Sequence, residues 1–157
     1  MRKRTINQGS QGRSPADREW LDVERLAQVE LTSEDPAHPI ESALTPGTGL
    51  GWRAAEPGQQ IIRLLFDKPL RLRCIRLVFH ETEEARTQEL VLRWSPNGGQ
   101  SYREIVRQQY TFSPPHTCHE VEDFGVDLDG VMALELRIVP DISGGSSCAL
   151  LAQLRLA

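Results

Sequence analysis

The chain has 157 residues and a formal net charge of −4 at pH 7, with 39% hydrophobic and 25% charged residues. This length and composition fit one globular domain that buries its core without a metal ion or disulfide bonds. Residues 1–19 carry a net charge of +3, which leaves −7 for the remainder. An acidic folded part argues against a nucleic-acid groove, so we do not expect nucleic acid as a partner.

The first 18 residues are basic and rich in Gly, Ser and Gln, a composition typical of flexible segments. We expect residues 1–18 to be a flexible leader and residues 19–157 to be a single domain. The leader lacks the apolar stretch of a secretory signal, and no apolar window reaches membrane-spanning length. Cys74, Cys118 and Cys148 show no Cys-x-x-Cys spacing, which favours free thiols. These features predict a cytoplasmic protein without membrane contact.

The first predicted elements are a strand and a short helix. Ala27, Val29 and Leu31 alternate with polar residues, which favours a strand over about 25–32 that ends before Pro36. The segment 39–44 has proline in its first turn and Pro46-Gly47 after it, as a short helix does.

Alternation with a period of two becomes clear from residue 61 onward. Ile62, Leu64 and Phe66 share one face of a predicted strand. A second alternating run follows over 70–79, and its phase changes at Cys74-Ile75, which indicates a β-bulge.

The rest of the chain continues as strands separated by turns. Ser95 to Gln100 contains Asn-Gly and predicts a hairpin loop after the strand that ends near Trp94. Further strands are predicted over 104–112, 119–128 (with a possible bulge at Gly125), 134–138 and 150–156. Eight or nine strands with almost no helical periodicity predict an all-β, antiparallel, two-sheet jelly-roll sandwich.

Several short motifs fit one known family. They are Ile40 to Leu44, Gly51-Trp52-Arg53-Ala54 before the strand 60–66, the hairpin from Leu90 to Gly99, and the closing Ala149 to Leu154. In this order they resemble the galactose-binding-like jelly-roll family, which includes discoidin (coagulation factor type C) domains and many carbohydrate-binding modules. The resemblance covers roughly residues 20–157.

This resemblance implies a non-catalytic binding module for a carbohydrate or a similar hydroxyl-rich ligand. The same architecture also serves protein scaffolds, so a protein-protein interaction module is the alternative. Family members with a structural calcium ion place acidic residues before the tryptophan and a glutamate in the last strand. Here the loop 45–50 has no carboxylate and the last strand carries Gln153. We therefore expect neither calcium nor any other cofactor.

Two polar segments are candidates for ligand contact. The loop after the second long strand contains His80 and Arg86, and a solvated turn with local ion pairs is its plainer interpretation. The later strand contains Arg107, Gln109 and Tyr110, and an interior polar network or an edge strand would explain it equally well. The proposed ligand-binding residues are these five, His80, Arg86, Arg107, Gln109 and Tyr110.

The tryptophans have separate expected roles. If exposed, Trp52 and Arg53 would offer a stacking platform and a hydrogen-bonding fork for a sugar. The resemblance implies instead that Trp52 packs in the core. Alternation predicts that Trp94 is a core residue, and Trp20 is expected to close one end of the core.

Catalysis has little support in the sequence. No spacing of carboxylates singles out an acid and base pair. His116, Cys118 and His119 offer good ligand atoms for a transition metal, and a metal-dependent activity centred there is the third alternative. The oligomeric state is left open.

Overall fold

The computed structural model describes residues 19–45, 47 and 51–157. The predicted leader over 1–18 and most of the loop 45–50, on which the calcium argument depends, lie outside these residues. The described part contains two short helices and eight strands. They are α1 (Val23–Leu26), β1 (Ala27–Leu31), α2 (Glu41–Leu44), β2 (Trp52–Pro57), β3 (Gln60–His80), β4 (Arg86–Ser95), β5 (Arg103–Phe112), β6 (His119–Val139), β7 (Cys148–Leu151) and β8 (Gln153–Leu156).

Two long strands, β3 and β6, run antiparallel and pair with each other twice. Residues 60–65 of β3 pair with 133–138 of β6, and residues 70–80 pair with 119–131. Register shifts lie between the two paired regions, and such shifts bend a strand without ending it. The prediction of separate strands over 119–128 and 134–138 is therefore wrong, because both belong to β6.

The strand pairing gives one six-stranded antiparallel sheet, which includes β8 beside β3. Because β3 and β6 bend between their two paired regions, we describe the parts of this sheet on either side of the bend as a larger and a smaller sheet. The larger sheet has the order β1-β3-β6-β4-β5 and uses the first part of β3 with the second part of β6. The smaller sheet consists of the first part of β6, the second part of β3, and β8. Strand β2 pairs with β7 as a separate antiparallel pair. The predicted two-sheet jelly-roll sandwich of eight or nine strands is confirmed.

The core lies between the sheets and follows the predicted alternation. Ile62, Leu64 and Phe66 are all buried, as are Trp52 and Phe79. The indole Nε1 of Trp52 donates a hydrogen bond to the carbonyl oxygen of Ser33 at 3.2 Å. The predicted core position of Trp52 is thus confirmed.

The predicted change of phase at Cys74-Ile75 is present, but the extra residue of the bulge lies in β6, where 125–128 is one residue longer than 72–74 of β3. Both residues are buried, although adjacent residues of a regular strand point to opposite faces. The register shifts between Leu72 and Cys74, and Cys74 pairs with Gly125.

Three local predictions need correction. The segment 25–32 begins as a helical turn, α1, and becomes a strand only at Ala27. The last strand is divided, because β7 pairs with β2 and β8 pairs with β3, with the Ala152 amide donating to the Val78 carbonyl at the change of partner. Trp20 is half-buried and lies outside the core cluster, with the Arg76 guanidinium 5.2 Å from its ring centre.

Trp94 is half-buried and packs against the core cluster, on the inward face that the alternation predicted. No helix among the described residues is long and apolar enough to cross a bilayer.

Gly51 provides a test of the contact between β2 and β7. Its φ is +80°, and a Cβ atom there would lie 2.5 Å from the Leu151 carbonyl oxygen. Gly58 has a similar φ of +85° with nothing within 4 Å of such an atom. We expect Gly58→Ala to lower the free energy of unfolding by about 1–2 kcal/mol through backbone strain. Gly51→Ala should lower the free energy of unfolding by about 1–3 kcal/mol more than Gly58→Ala does, because the backbone atoms of Leu151 and Ala152 must move away from the new Cβ atom.

Urea denaturation of both variants measures this difference. Equal losses for Gly51→Ala and Gly58→Ala would show that the close approach of β7 to Gly51 is not a feature of the folded protein.

Candidate functional site

The outer face of the smaller sheet carries a regular array of side chains. Three cross-strand pairs join β3 to β6, namely Arg76 with Asp123, Val78 with Val121, and His80 with His119. On the other side of β3, Gln153 of β8 pairs with Val78. Because side chains alternate along a strand, these residues lie on the outer face while Leu77 and Phe79 face the core. Among them Val78 is only 8% exposed.

These residues form a groove with a volume of about 650 Å³, within the range of about 300–1,000 Å³ usual for ligand sites. Thr82 and Ala152 complete its walls. We call it the histidine groove, and its lining consists of Arg76, Val78, His80, Thr82, His119, Val121, Ala152 and Gln153.

The two histidines of the groove are in contact. Their ring centres lie 4.2 Å apart, with an angle of 56° between the planes. Nδ1 of His119 is 3.1 Å from both ring nitrogens of His80, so the contact is between rings and not one directed hydrogen bond. Burial, and then the neighbouring His119, lower the pKa of His80 below 6.5. His80 is therefore neutral at pH 7 and offers one donor and one acceptor nitrogen.

Arg76 is held in place at the other end of the groove. Its Nε and Nη2 donate to the two carboxylate oxygens of Asp123 at 2.7 and 2.8 Å, and this bonding raises the pKa of Arg76. The guanidinium also covers the ring of Trp20. A bidentate carboxylate and an aromatic face together fix the orientation of the guanidinium.

The groove combines an apolar floor with a polar rim. Val78, Val121 and Ala152 provide apolar contact, whereas imidazole, guanidinium, amide and hydroxyl groups lie around them. Val121 is 47% exposed, which leaves its methyl groups accessible. Such a surface can pack against C–H groups of a ligand and hydrogen-bond to its hydroxyl groups.

Arg86, a predicted ligand residue, is enclosed in the protein. Its side chain is 0% exposed, its Nε donates to Glu81 Oε1 at 2.6 Å, and its Nη1 donates to the Pro140 carbonyl oxygen at 2.7 Å. The guanidinium also lies 4.8 Å from the Phe112 ring centre. Arg86 thus fixes Glu81, the residue between His80 and Thr82, and is placed to support the groove and not to touch a ligand.

Arg107 and Gln109 lie on a different surface. They are exposed on the outer face of β5, in the larger sheet, where both donate to the carboxylate of Glu89. Arg107 also donates to Glu104. The structure does not bring these two residues to the histidine groove.

Tyr110 connects the larger sheet to the groove. Its hydroxyl donates to the backbone carbonyl oxygen of His119 at 3.1 Å, and its ring packs edge-on against Phe112 at 4.9 Å. Of the five predicted ligand-binding residues, only His80 lines the groove. Tyr110 contacts the backbone of His119 and Arg86 contacts Glu81, whereas Arg107 and Gln109 lie on the larger sheet.

Six groove residues were not predicted as ligand contacts, and His119 was considered only as a metal ligand. The six are Arg76, Val78, Thr82, Val121, Ala152 and Gln153. The alternation along β3 and β6 indicated which residues face outward, but not which strand lies beside which. Among the described residues, no group of three His, Cys, Asp or Glu side chains is placed to hold a metal ion, so His116, Cys118 and His119 do not form such a cluster.

A buried carboxyl group lies behind His119. Glu120 faces inward and is 3% exposed, and Gln108 Nε2 donates to its Oε1 at 2.9 Å. Burial first, and interaction with the Glu122 carboxyl group second, raise the pKa of Glu120 from 4.5 to about 7. The neutral, protonated form is therefore favoured in the folded protein well into the range where an exposed glutamate is charged.

Replacing Arg86 and, separately, Arg107 compares the stability contributed by a buried ion pair with that contributed by an exposed one. Arg86→Met leaves the Glu81 carboxylate buried and unpaired, and we expect a loss of about 3–5 kcal/mol in the free energy of unfolding. Arg107→Met, with its side chain 52% exposed, should lose less than about 1 kcal/mol. Chemical denaturation compares the two, and similar values would contradict the structural role of Arg86.

The raised pKa of Glu120 makes stability depend on pH. The folded protein holds the Glu120 proton more tightly than the unfolded chain does. The contribution of this proton to the free energy of unfolding is therefore complete below about pH 4.5 and is lost as the pH rises to about 7. We expect Glu120→Gln to stabilise the protein by about 1–2 kcal/mol more at pH 8 than at pH 5. Melting curves across this range measure the effect, and a pH-independent difference would contradict it. Glu104→Gln, an exposed change of the same charge, is the control.

Comparison with known proteins gives a clear answer only for structure. No protein-family model matches the sequence, and no curated protein matches it. A family 32 carbohydrate-binding module of Clostridium perfringens NanJ, solved with galactose, has a TM-score of 0.63 at 13% identity, covering 87% of this chain and 96% of that one. A pectin-binding carbohydrate-binding module has a TM-score of 0.60 at 16% identity, covering 83% and 89%.

A third neighbour has a different kind of partner. Reduced XRCC1, solved bound to the catalytic domain of DNA polymerase β, has a TM-score of 0.59 at 19% identity and covers 84% of this chain and 95% of that one. At these identities the similarity establishes the fold alone. The chain has the galactose-binding-like jelly-roll fold of the family 32 carbohydrate-binding modules.

Proposed function

We propose that this protein is a non-catalytic binding module that holds a carbohydrate or a similarly hydroxyl-rich ligand in the histidine groove. The observation that carries the proposal is the combination of an apolar floor, in which Val121 is 47% exposed, with hydrogen-bonding side chains around it. Carbohydrates present both kinds of surface, because C–H groups and hydroxyl groups alternate around a sugar ring.

The residues have distinct roles in this proposal. His80, His119 and Gln153 hydrogen-bond to hydroxyl groups, and Arg76 closes one end as a fixed donor. The neutral imidazole of His80 suits this role, because it can donate to one hydroxyl group and accept from another. Arg86, through Glu81, and Tyr110, through the His119 carbonyl, hold the groove in shape.

A glycan screen of the full chain, followed by calorimetry, tests the proposal. Galactose and pectin fragments are the first probes, because two of the structural neighbours bind them. We expect His119→Ala and Gln153→Ala to weaken binding at least about tenfold, as loss of one or two hydrogen bonds does. The Tyr110 bond is made to the backbone of residue 119, so it survives the substitution.

Arg107→Ala and Gln109→Ala are the matched controls, since both are polar and exposed on the other sheet. They should leave affinity unchanged. Binding that is lost in these variants and kept in His119→Ala would move the site to the outer face of β5 and contradict the proposal.

A protein-interaction module is the second candidate. It is favoured by the exposed Val121, whose apolar surface fits a protein partner equally well, and by the structural similarity to XRCC1 in its complex with DNA polymerase β. No response in the glycan screen, together with a partner captured by the wild type and not by Val121→Glu, would favour this candidate.

A further inference from the structure

A second groove lies at the edge of the larger sheet, between β1 and α2. It has a volume of about 360 Å³, and it shares no residue with the histidine groove. We call it the acidic groove, and its lining consists of Glu24, Ala27, Val29, Leu31, Glu34, Ile40, Glu41 and Leu44.

The floor of this groove is apolar. Ile40 and Leu44 are 3% and 4% exposed and belong to the core. Val29 and Leu31 point inward from β1 but remain half-exposed, and they pack against the core only on one side. Their other side faces the groove, so apolar surface is left accessible there.

The rim of the groove carries one sign of charge. Glu24, Glu34 and Glu41 all line it, and no basic side chain does. Glu41 is exposed, while Glu24 and Glu34 each accept one hydrogen bond, from Thr45 and from the Ile40 amide. None of the three is in an ion pair among the described residues. A positively charged ligand would therefore be attracted electrostatically by all three glutamate carboxylates.

The backbone beside the groove is also available. Strand β1 is the terminal strand of its sheet and pairs only with β3 among the described strands. A terminal strand presents unpaired N–H and C=O groups that can accept an added strand. Alternate side chains of an added strand would enter the groove about 7 Å apart.

From these three features we propose that the acidic groove binds an extended segment of a partner protein, which adds to β1 as a strand. Alternate side chains of the segment face the groove. The central ones are apolar and fill its floor, and Lys or Arg residues at the groove-facing positions on either side of them pair with the glutamates of the rim. The chain's own residues 1–18 are basic but contain few apolar residues, so they lack the side chains that would fill the floor. The proposal does not depend on carbohydrate binding, because the two grooves are separate.

Fluorescence anisotropy of the full chain with a labelled Lys-Thr-Val-Thr-Ile-Thr-Lys peptide, whose Lys, Val and Ile side chains all lie on one face of a strand, tests the proposal. We expect saturable binding, weakened about threefold by Glu41→Gln, which removes one exposed charge pair. Glu30→Gln is the matched control, because Glu30 has the same charge and lies exposed on the opposite face of β1. It should change affinity less than twofold.

Two modified peptides test whether binding requires the apolar floor and the backbone edge of β1. Exchange of Val and Ile for Ser, and N-methylation of alternate backbone amides, should each abolish binding if the floor and the edge of β1 are used. Equal effects of Glu30→Gln and Glu41→Gln, or equal binding of either modified peptide, would overturn the proposal. So would a tenfold gain in affinity when Arg2, Lys3 and Arg4 are replaced by Gln in the full chain, because the leader would then be the occupant.

Discussion

Two strands of 21 residues, β3 and β6, pair with each other on both sides of a bend and so belong to both sheets. In the larger sheet β1 pairs with the first part of β3, β4 pairs with the second part of β6, and β5 pairs with β4, while β8 pairs with the second part of β3. The register shifts between residues 65 and 74 allow the bend. The core and the histidine groove both depend on this pairing, because it sets Phe79 against the core and His80 against His119.

Six of the eight residues that line the histidine groove lie on strands, and only Thr82 and Ala152 lie between strands. The register of the strands sets the spacing of these side chains. The loop after β3, which contains Thr82, is held in place by the buried ion pair between Arg86 and Glu81. A buried ion pair costs desolvation, but its loss leaves a buried charge, so it holds one geometry. The groove is therefore largely pre-formed, which lowers the entropic cost of ligand binding.

The sequence predicts the strands and their buried faces well, because alternation is a local property. Ile62, Leu64 and Phe66 could be assigned to the core without knowledge of any partner strand. The change of phase at Cys74-Ile75 was equally visible, since it also appears within one strand, whereas the extra residue lies in the partner strand β6. By contrast, the division of the last strand at Ala152 depends on which strands it meets, and the local pattern continues through it.

The candidate site could be predicted only in part, for the same reason. His80 was selected from its own loop, but His119 becomes its neighbour only through the register of β3 with β6. Arg86 looked accessible in a charged loop, and its burial follows from contact with the Pro140 carbonyl, 54 residues away in the chain. The polar residues chosen from separate segments of the sequence therefore do not share one surface. The groove is formed by outward-facing residues of paired strands, and their pairing is visible only in the structure.

The imidazole resonances of the four histidines, followed by NMR during titration with a sugar, test the central claim most directly. The account predicts that His80 and His119 shift together and saturate at one ligand concentration, while His38 and His116 do not move. Unchanged resonances of His80 and His119 in the presence of saturating ligand would contradict it, because the ligand would then bind outside the histidine groove.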